Sequence, residues 1–291
     1  MRAAAILGPG SSPADLKPFQ DCPDTAWVHG LPANSAEADA VLVFGGDGTI
    51  HRHLARLVEM QLPVLIVPRG SGNDFARALG LRSRRDSLTA WREFLVSGGK
   101  VDAVDLGILR PLAASAAAED GPRYFCTVAG VGLDGEVARV ANRLPRWLRA
   151  NGGYALSLLP VLFRFSAFAA SISKLPEQKE SFRPVVLAAF ANTAAFGGGM
   201  KIAPRAGLQD GMLDVCVIRA INKLKLLFLF PSVYSGRHLS MREVEYFSSQ
   251  ALQVQTERPF PVYADGEYVC QTPVEVGVKP AALPVIVLPR G

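Results

Sequence analysis

Two short stretches hold residues whose types and spacing could do chemistry. Phe44-Gly45-Gly46-Asp47-Gly48-Thr49 sets a carboxylate among glycines directly after an apolar run. Gly70-Ser71-Gly72-Asn73-Asp74 repeats the arrangement after the next run. Glycine lets the main chain turn tightly and approach a ligand closely. Successive N–H groups at a helix start then form a site for anions, phosphate above all. An aspartate in such a nest would repel a phosphate directly. It makes sense if Mg²⁺ lies between them, because Mg²⁺ binds through one or two carboxylates, waters and substrate phosphates. Asp47 and Asp74 are therefore candidate metal-holding groups, and the paired loops predict a nucleotide–metal site. Two later stretches also join acids to glycine. Ala264-Asp265-Gly266-Glu267 reads as a D-G hairpin turn flanked by two carboxylates. The turn from Gly207 through Asp210 and Met212 to Asp214 either holds a hard cation, through a carboxylate and main-chain carbonyls, or is only a turn.

The elements that must position the first two loops are legible. Residues 3–7, 41–44 and 63–68 are continuous apolar runs, which suits parallel strands buried on both faces. Each ends in a glycine-rich loop. After the second loop Ile50, Leu54, Leu57 and Val58 recur at helical spacing, with Thr49 as the expected cap. After the third, Phe75, Ala76, Ala78 and Leu79 begin another helix that stops near Gly80. Strand–helix–strand crossovers are right-handed and make the strands parallel. The loops then emerge at one edge of the sheet, its carboxyl end, where ligands of open α/β sheets bind.

From about residue 101 the texture changes to short apolar or alternating segments separated by turns, which predicts a mostly β second domain, sandwich-like. Only residues 137–172 look helical there, and 113–121 read as a hairpin loop or disordered tip. Gly130-Val-Gly132-Leu-Asp134-Gly135 matches the GxGxxG pattern literally. No acidic residue follows at the distance a ribose-binding carboxylate needs, so the better reading is a turn that aims Asp134 into the cleft.

Composition narrows the classes. The 291 residues are 49% hydrophobic and 20% charged, which is globular, and long enough for two domains. The net charge of +5 suits an anionic ligand or an anionic membrane surface. No Lys/Arg run interleaved with aromatics points to nucleic acid. Cys22, Cys126, Cys216 and Cys270 lack metal-site spacing and read as buried thiols in a reducing compartment. The first residues lack the apolar core of a secretory leader, so a cytoplasmic location is expected. Residues 154–172 approach spanning length, but Pro160 and Arg164 interrupt them. A central Arg costs roughly 2.5–3.5 kcal/mol, which favours a buried or interfacial helix. Residues 224–234 read either as a membrane-resting segment or as ordinary core. There is no GxxxxGK[ST] loop and no GxSxG nucleophile motif, and His51 and His53 read as incidental.

The ordered set GGDGT, GSGNDFAR, GVGLDGEVA, FANTAAFGGGMKIAPRAGLQDGMLDV and YADGE, with the closing PVEVGVKPAALPVIVLP, resembles the diacylglycerol kinase catalytic-domain family, shared with bacterial lipid kinases and with ceramide and sphingosine kinases. The resemblance covers nearly the whole chain and is nearest to the bacterial lipid kinases. It implies an α/β nucleotide-binding domain at 1–104, to which 283–291 return, and a β-sandwich lipid-substrate domain at 105–282, with the active site in the cleft between them. It implies ATP and Mg²⁺, and γ-phosphoryl transfer to a lipid hydroxyl, with diacylglycerol the default acceptor. Gly45, Gly46, Asp47, Gly48 and Thr49 match the ATP-phosphate loop, and Ser71, Asn73 and Asp74 match the second nucleotide loop. Asp265 matches the proton acceptor, with Glu267 beside it. Asp210, with carbonyls of Gly207 and Met212, matches a structural Mg²⁺ site, and Asp134 a substrate-hydroxyl contact. The first loop departs from the family pattern, and either Ser11 or Ser12 meets the nucleotide. A lipid substrate at a membrane surface, peripheral membrane association and a homodimer complete the expectations. The rivals are a GGDGT kinase with a soluble acceptor, such as an NAD kinase, and a non-catalytic nucleotide-binding relative.

Overall fold

The apolar runs that close on glycine loops are strands of one parallel sheet. In chain order the first unit holds β1 (Arg2–Leu7), α1 (Pro13–Gln20), β2 (Ala26–His29), β3 (Ala40–Gly45), α2 (Asp47–Met60), β4 (Val64–Pro68), α3 (Asp74–Ala78) and α4 (Arg84–Ser97). The computed structural model describes residues 1–23, 25–70, 72–112, 121–142, 160–161, 164–177 and 180–288. It divides into Met1–Asp105 with Pro280–Gly291, and Leu106–Lys279. The division falls inside β5 (Lys100–Pro111) and again inside β15 (Val274–Val287).

Strand order in the first sheet is β15–β4–β3–β1–β2, every pair parallel. Leu7 lies opposite Phe44, and Gly45 opposite Pro68, so β1, β3 and β4 release their loops side by side at one level. All six residues of β3 are buried, as strands covered on both faces must be. On α2, Ile50, Leu54, Leu57 and Val58 face the core as their spacing predicts. Thr49 does not cap this helix. Gly46 occupies the cap and Thr49 is the third helical residue, buried against the loops. The helix after the first loop, α1, is short, eight residues. Two elements escaped the sequence reading. One is the short strand β2, whose Trp27 lies against Trp91. The other, α4, carries its own signal, because the Ser83 hydroxyl accepts from the Asp86 N–H while the Asp86 carboxylate accepts from Ser83.

The second unit contains β6 (Arg123–Phe125), β7 (Val128–Gly132), α5 (Leu133–Asn142), β8 (Phe168–Lys174), β9 (Arg183–Ala191), β10 (Leu213–Arg219), α6 (Lys223–Ser235), β11 (Val244–Ser249), β12 (Ala251–Thr256), β13 (Pro261–Ala264) and β14 (Glu267–Gln271). Its strands run β14–β13–β7–β9–β8–β12–β15; β10 lies between β9 and β11, and β5 pairs with β15 and β6. Alternate residues separate two cores. Val185, Ala188 and Phe190 of β9 join Leu213, Val215 and Val217 of β10 in the interior between strands. Val186, Leu187, Ala189 and Ala191 face the other way, with Cys216 and Ile218, and are covered by α5 and α6. Burial on both faces explains why β9 reads as an unbroken apolar run.

The helical expectation for 137–172 changes in part: 137–142 belong to the helix α5. Residues 168–172 are strand, not helix. Residues 143–159 and 162–163 lie outside the described residues, as do 113–120 of the expected hairpin loop. Meanwhile residues 224–234 do form a helix, α6, seated through Leu226, Leu229 and Val233. Burying such side chains contributes roughly 1.5–3 kcal/mol each, enough to dock a helix whose other face meets solvent. Among the described residues no helix is long and apolar enough to cross a membrane.

His238 closes the turn after α6. It is fully buried, its Nε2 lies 3.0 Å from the Ile202 carbonyl, and its Nδ1 has no partner among the described residues. Burial holds its pKa below the usual 6.5, against a smaller opposing effect of the Ile202 bond. The folded state therefore disfavours the proton. Stability is full above the unfolded value, about 6.5, and is lost as pH falls below it towards the folded value. Thermal melts between pH 7.5 and 5.5 should show a falling midpoint, and His238→Gln, which retains a donor towards Ile202, should flatten that slope. An unchanged slope in the variant would contradict this assignment.

Candidate active site

The glycines at the ends of β1, β3 and β4 are there because the loops touch. A β-carbon on Gly70 would lie 2.6 Å from the Gly46 Cα, and one on Gly46 would lie 2.9 Å from the Gly70 Cα. The β3 and β4 loops thus meet backbone to backbone. Behind them, a β-carbon on Gly8 or Gly45 would come within 2.3 or 2.5 Å of the Thr49 Oγ1. Thr49 fills the space that these glycines leave, so its side chain packs the loops from beneath. The Arg69 N–H bonds the Gly45 carbonyl (2.9 Å), and the Asn73 side chain closes its own loop by accepting from the Gly70 N–H (2.9 Å) and donating to the Gly70 carbonyl (2.6 Å). Asn73 does this in the left-handed region, at φ 50°, which asparagine tolerates.

Asp47 joins the two loops. Its Oδ2 accepts from the Asp74 N–H (2.9 Å) and its Oδ1 from the Phe75 N–H (3.2 Å). The carboxylate at the first helical position of α2 therefore caps the start of α3. Asp74 is buried and ion-paired with Arg77. Both carboxylates face Gly72: a β-carbon there would lie 2.9 Å from Asp47 Oδ2 and 3.8 Å from Asp74 Oδ2. Among the described residues no three His, Cys, Asp or Glu side chains gather into a metal cage. Two acids over a glycine fit a cation that keeps most of its water, which is the habit of Mg²⁺.

The first loop is spent on structure. The Ser11 hydroxyl donates to the Phe44 carbonyl (2.9 Å), which ties β1 to β3 beside the glycines. Ser12 opens α1, and its N–H donates to Asp15 (2.9 Å). Of the two serines, Ser11 lies at the strand end beside Gly45. Buried Asp15 also pairs with Arg69 (3.3 Å) and Arg84 (3.2 Å). One carboxylate thus holds two guanidiniums, and Arg69 is fixed at the head of the second loop as a cationic group that the motifs did not single out. Ser71 lies outside the described residues.

In the second unit Asp265 and Gly266 form the tip of the β13–β14 hairpin, at φ 51° and 84°. These are the left-handed values that a D-G two-residue turn requires. The Asp265 carboxylate points into the corner between β6 and β7. Oδ1 accepts from the Thr127 N–H (2.8 Å) and hydroxyl (2.6 Å), and Oδ2 from the Cys126 N–H (3.0 Å) and thiol (3.5 Å). Glu267 begins β14 and is exposed. GVGLDG is no turn: β7 ends at Gly132 and α5 begins at Leu133, with Asp134 in its first turn and its side chain outside the described residues. Gly135 packs against the Tyr263 ring, where a β-carbon would fall 2.6 Å away. Asp210 is exposed, accepts from the Met212 N–H (3.0 Å) and turns its carboxylate towards Gly207.

All four cysteines are buried and none forms a disulfide; the Cys126 thiol is the one already described against Asp265. Burial pushes the Cys216 thiol up to about 12 and that of Cys270 to about 11, so neither is a ready nucleophile. Burial and the neighbouring Arg52 hold His53 below its usual pKa.

Residues 24–109 match the diacylglycerol kinase catalytic domain, and residues 127–287 match the YegS C-terminal NAD kinase beta sandwich-like domain. A diacylglycerol kinase of Mycobacterium tuberculosis is 35% identical over 250 residues, 85% of this chain and 76% of that one. A candidate diacylglycerol kinase from Bacillus anthracis shares the fold at 21% identity, with a TM-score of 0.74 over 99% of this chain and 97% of that one. The fold likeness extends to an NAD kinase from Archaeoglobus fulgidus solved with ATP, at 13% identity, a TM-score of 0.52, and 99% and 94% coverage.

Replacing Asp47 by Ala removes the acceptor of two main-chain donors at the start of α3. Loss of a capping acceptor costs about 0.5–2 kcal/mol. Denaturant unfolding of Asp47→Ala should fall by that amount, with Asp47→Asn in between. Stability equal to that of the parent protein would show that the cap contributes nothing.

Proposed function

The chain belongs to the diacylglycerol kinase family, and we propose that it transfers the γ-phosphoryl group of ATP to the hydroxyl of diacylglycerol at a membrane surface, giving phosphatidic acid. The observation that carries the reading is the contact of two glycine loops, Gly46 against Gly70, with Asp47 and Asp74 facing the same small space over Gly72. Such a corner offers main-chain N–H groups to phosphates and carboxylates to a hydrated cation.

Phosphoryl transfer needs positioning and charge neutralisation more than covalent help. Gly45 to Thr49 and the Arg69–Asp74 loop bind and orient the triphosphate, with Asn73 holding the second loop in shape. Arg69, steadied by Asp15, adds positive charge beside it. Asp47 and Asp74 would hold Mg²⁺ through water, and Asp210 with carbonyls of Gly207 and Met212 a second, structural ion. When bound, Mg²⁺ supplies neutralisation of the phosphate charge. The lipid oxygen forms its bond to the γ-phosphorus as the bond to ADP breaks, and the hydroxyl proton passes to Asp265. Glu267 adds negative charge at the same turn, and Asp134 serves the acceptor lipid.

The membrane side of the proposal rests on α6. Leu224 and Phe228, one turn apart, are 70% and 77% exposed, with Tyr234 further along. From Cys216 to Arg242 the chain has five Lys or Arg and no Asp or Glu. An apolar stripe on a basic stretch suits the surface of an anionic bilayer.

Radiolabelled ATP offered with a panel of lipids in mixed micelles, and with NAD and other soluble acceptors, should label phosphatidic acid. Label in a soluble acceptor without detergent would overturn the lipid reading. Asp265→Asn keeps a residue that tolerates the left-handed turn; kcat should fall by about 10²–10⁴-fold, the usual contribution of general base catalysis. Near-normal turnover at saturating lipid would remove Asp265 from that role. Leu224→Ser/Phe228→Ser should cut flotation with anionic vesicles by about tenfold or more, since each side chain loses roughly 1.5–3 kcal/mol of apolar burial. Binding that survives the double change would move the docking surface elsewhere.

A further inference from the structure

We infer that Thr127 is the positioning residue of the phosphoryl-transfer site, fixing the Asp265 carboxylate through its hydroxyl and its own N–H. The inference rests on the reading of Asp265 as proton acceptor. Asp265 is half-buried at a two-residue hairpin tip, a place where a side chain has few neighbours to fix it. A base must nevertheless be held within hydrogen-bond reach of the proton that it takes. Thr127 supplies the two donors on Oδ1, the hydroxyl at 2.6 Å and the N–H at 2.8 Å, while the Cys126 N–H and thiol hold Oδ2; of the four, the Thr127 hydroxyl is the shortest.

Thr127 can act as a clamp because it is itself immobile. It is 3% exposed and follows fully buried Cys126. Its carbonyl accepts from the N–H groups of Asn192 (2.8 Å) and Thr193 (3.3 Å), at the end of β9. The Asn192 side chain, also fully buried, donates to the Cys126 carbonyl (3.1 Å). The Asp265 N–H bonds the Val128 carbonyl (3.0 Å), so the hairpin tip lies on the strand that Thr127 introduces. Support therefore runs from β9 to the 126–127 corner and from there to the carboxylate. The cis arrangement of hydroxyl and N–H on one residue is what Ser or Thr provides. Valine has the shape but lacks the donor.

The test compares Thr127→Val and Thr127→Ser with Asp265→Asn in the full chain. Displacement of a catalytic group by about 1 Å costs up to about 100-fold. Thr127→Val should lower kcat by about 10- to 100-fold with KM for ATP and for lipid within about twofold, and with its melting temperature nearly kept. Thr127→Ser should restore kcat to within about threefold. Because Thr127 acts through Asp265, the double variant Thr127→Val/Asp265→Asn should be no slower than Asp265→Asn alone. Full activity in Thr127→Val beside an inactive Asp265→Asn overturns the positioning role and leaves the base reading intact. Multiplying losses in the double variant, or failure of Ser to rescue a folded enzyme, overturn it too. An active Asp265→Asn overturns both readings together.

Discussion

Asp47 commits both oxygens of its carboxylate to the main chain at the start of α3, 27 and 28 residues later, and the corner where the two glycine loops meet depends on that commitment. The bond to Asp74 draws the β4 loop against the β3 loop until Gly46 and Gly70 touch. The absence of side chains there is then a steric requirement. Thr49 fills the space below, Asn73 locks the second loop from within, and Arg69 is tied back to buried Asp15. A nest of N–H groups is rigid only if something holds its strands of chain together, and here a carboxylate does so.

The second unit repeats the device with different parts. Asp265 sits in a turn that only a residue tolerant of the left-handed region can occupy, and its carboxylate ties that turn to the β6–β7 corner. In both places an acid proposed for chemistry also organises the backbone around it. Its removal therefore tests two things at once, which is why conservative replacements and double variants are more informative than alanine. The outer faces of the unit follow a plainer rule. Sheet residues alternate between two cores, and α5 and α6 cover the second, leaving the Leu224–Phe228 stripe of α6 in solvent.

Much of this was legible in the chain. Continuous apolar runs ending in glycine loops gave the parallel strands β1, β3 and β4, and Ala264-Asp265-Gly266-Glu267 gave its hairpin. Thr49 was misread because capping preference is a local statistic, whereas its burial comes from glycines 8 and 45 meeting it from other strands. Residues 168–172 were misread because a buried strand and an apolar helix share composition, and proline and arginine within 154–172 broke any period. Thr127 carried no signal at all: a lone threonine between Cys126 and Val128 acquires meaning only when the hairpin folds a carboxylate onto it. The double duty of Asp47 was equally hidden, since a contact between two loops is not written in either loop.

If the proposed function is right, close backbone contact between the two glycine loops makes the triphosphate site. Titration calorimetry of Mg·ATP against Gly70→Ala tests it most directly. The added methyl would fall 2.6 Å from the Gly46 Cα, a backbone atom that no rotamer change can move aside. Affinity should fall at least about tenfold, or 1.4 kcal/mol, with the protein still folded. Parental affinity for Mg·ATP in a folded Gly70→Ala protein would contradict it.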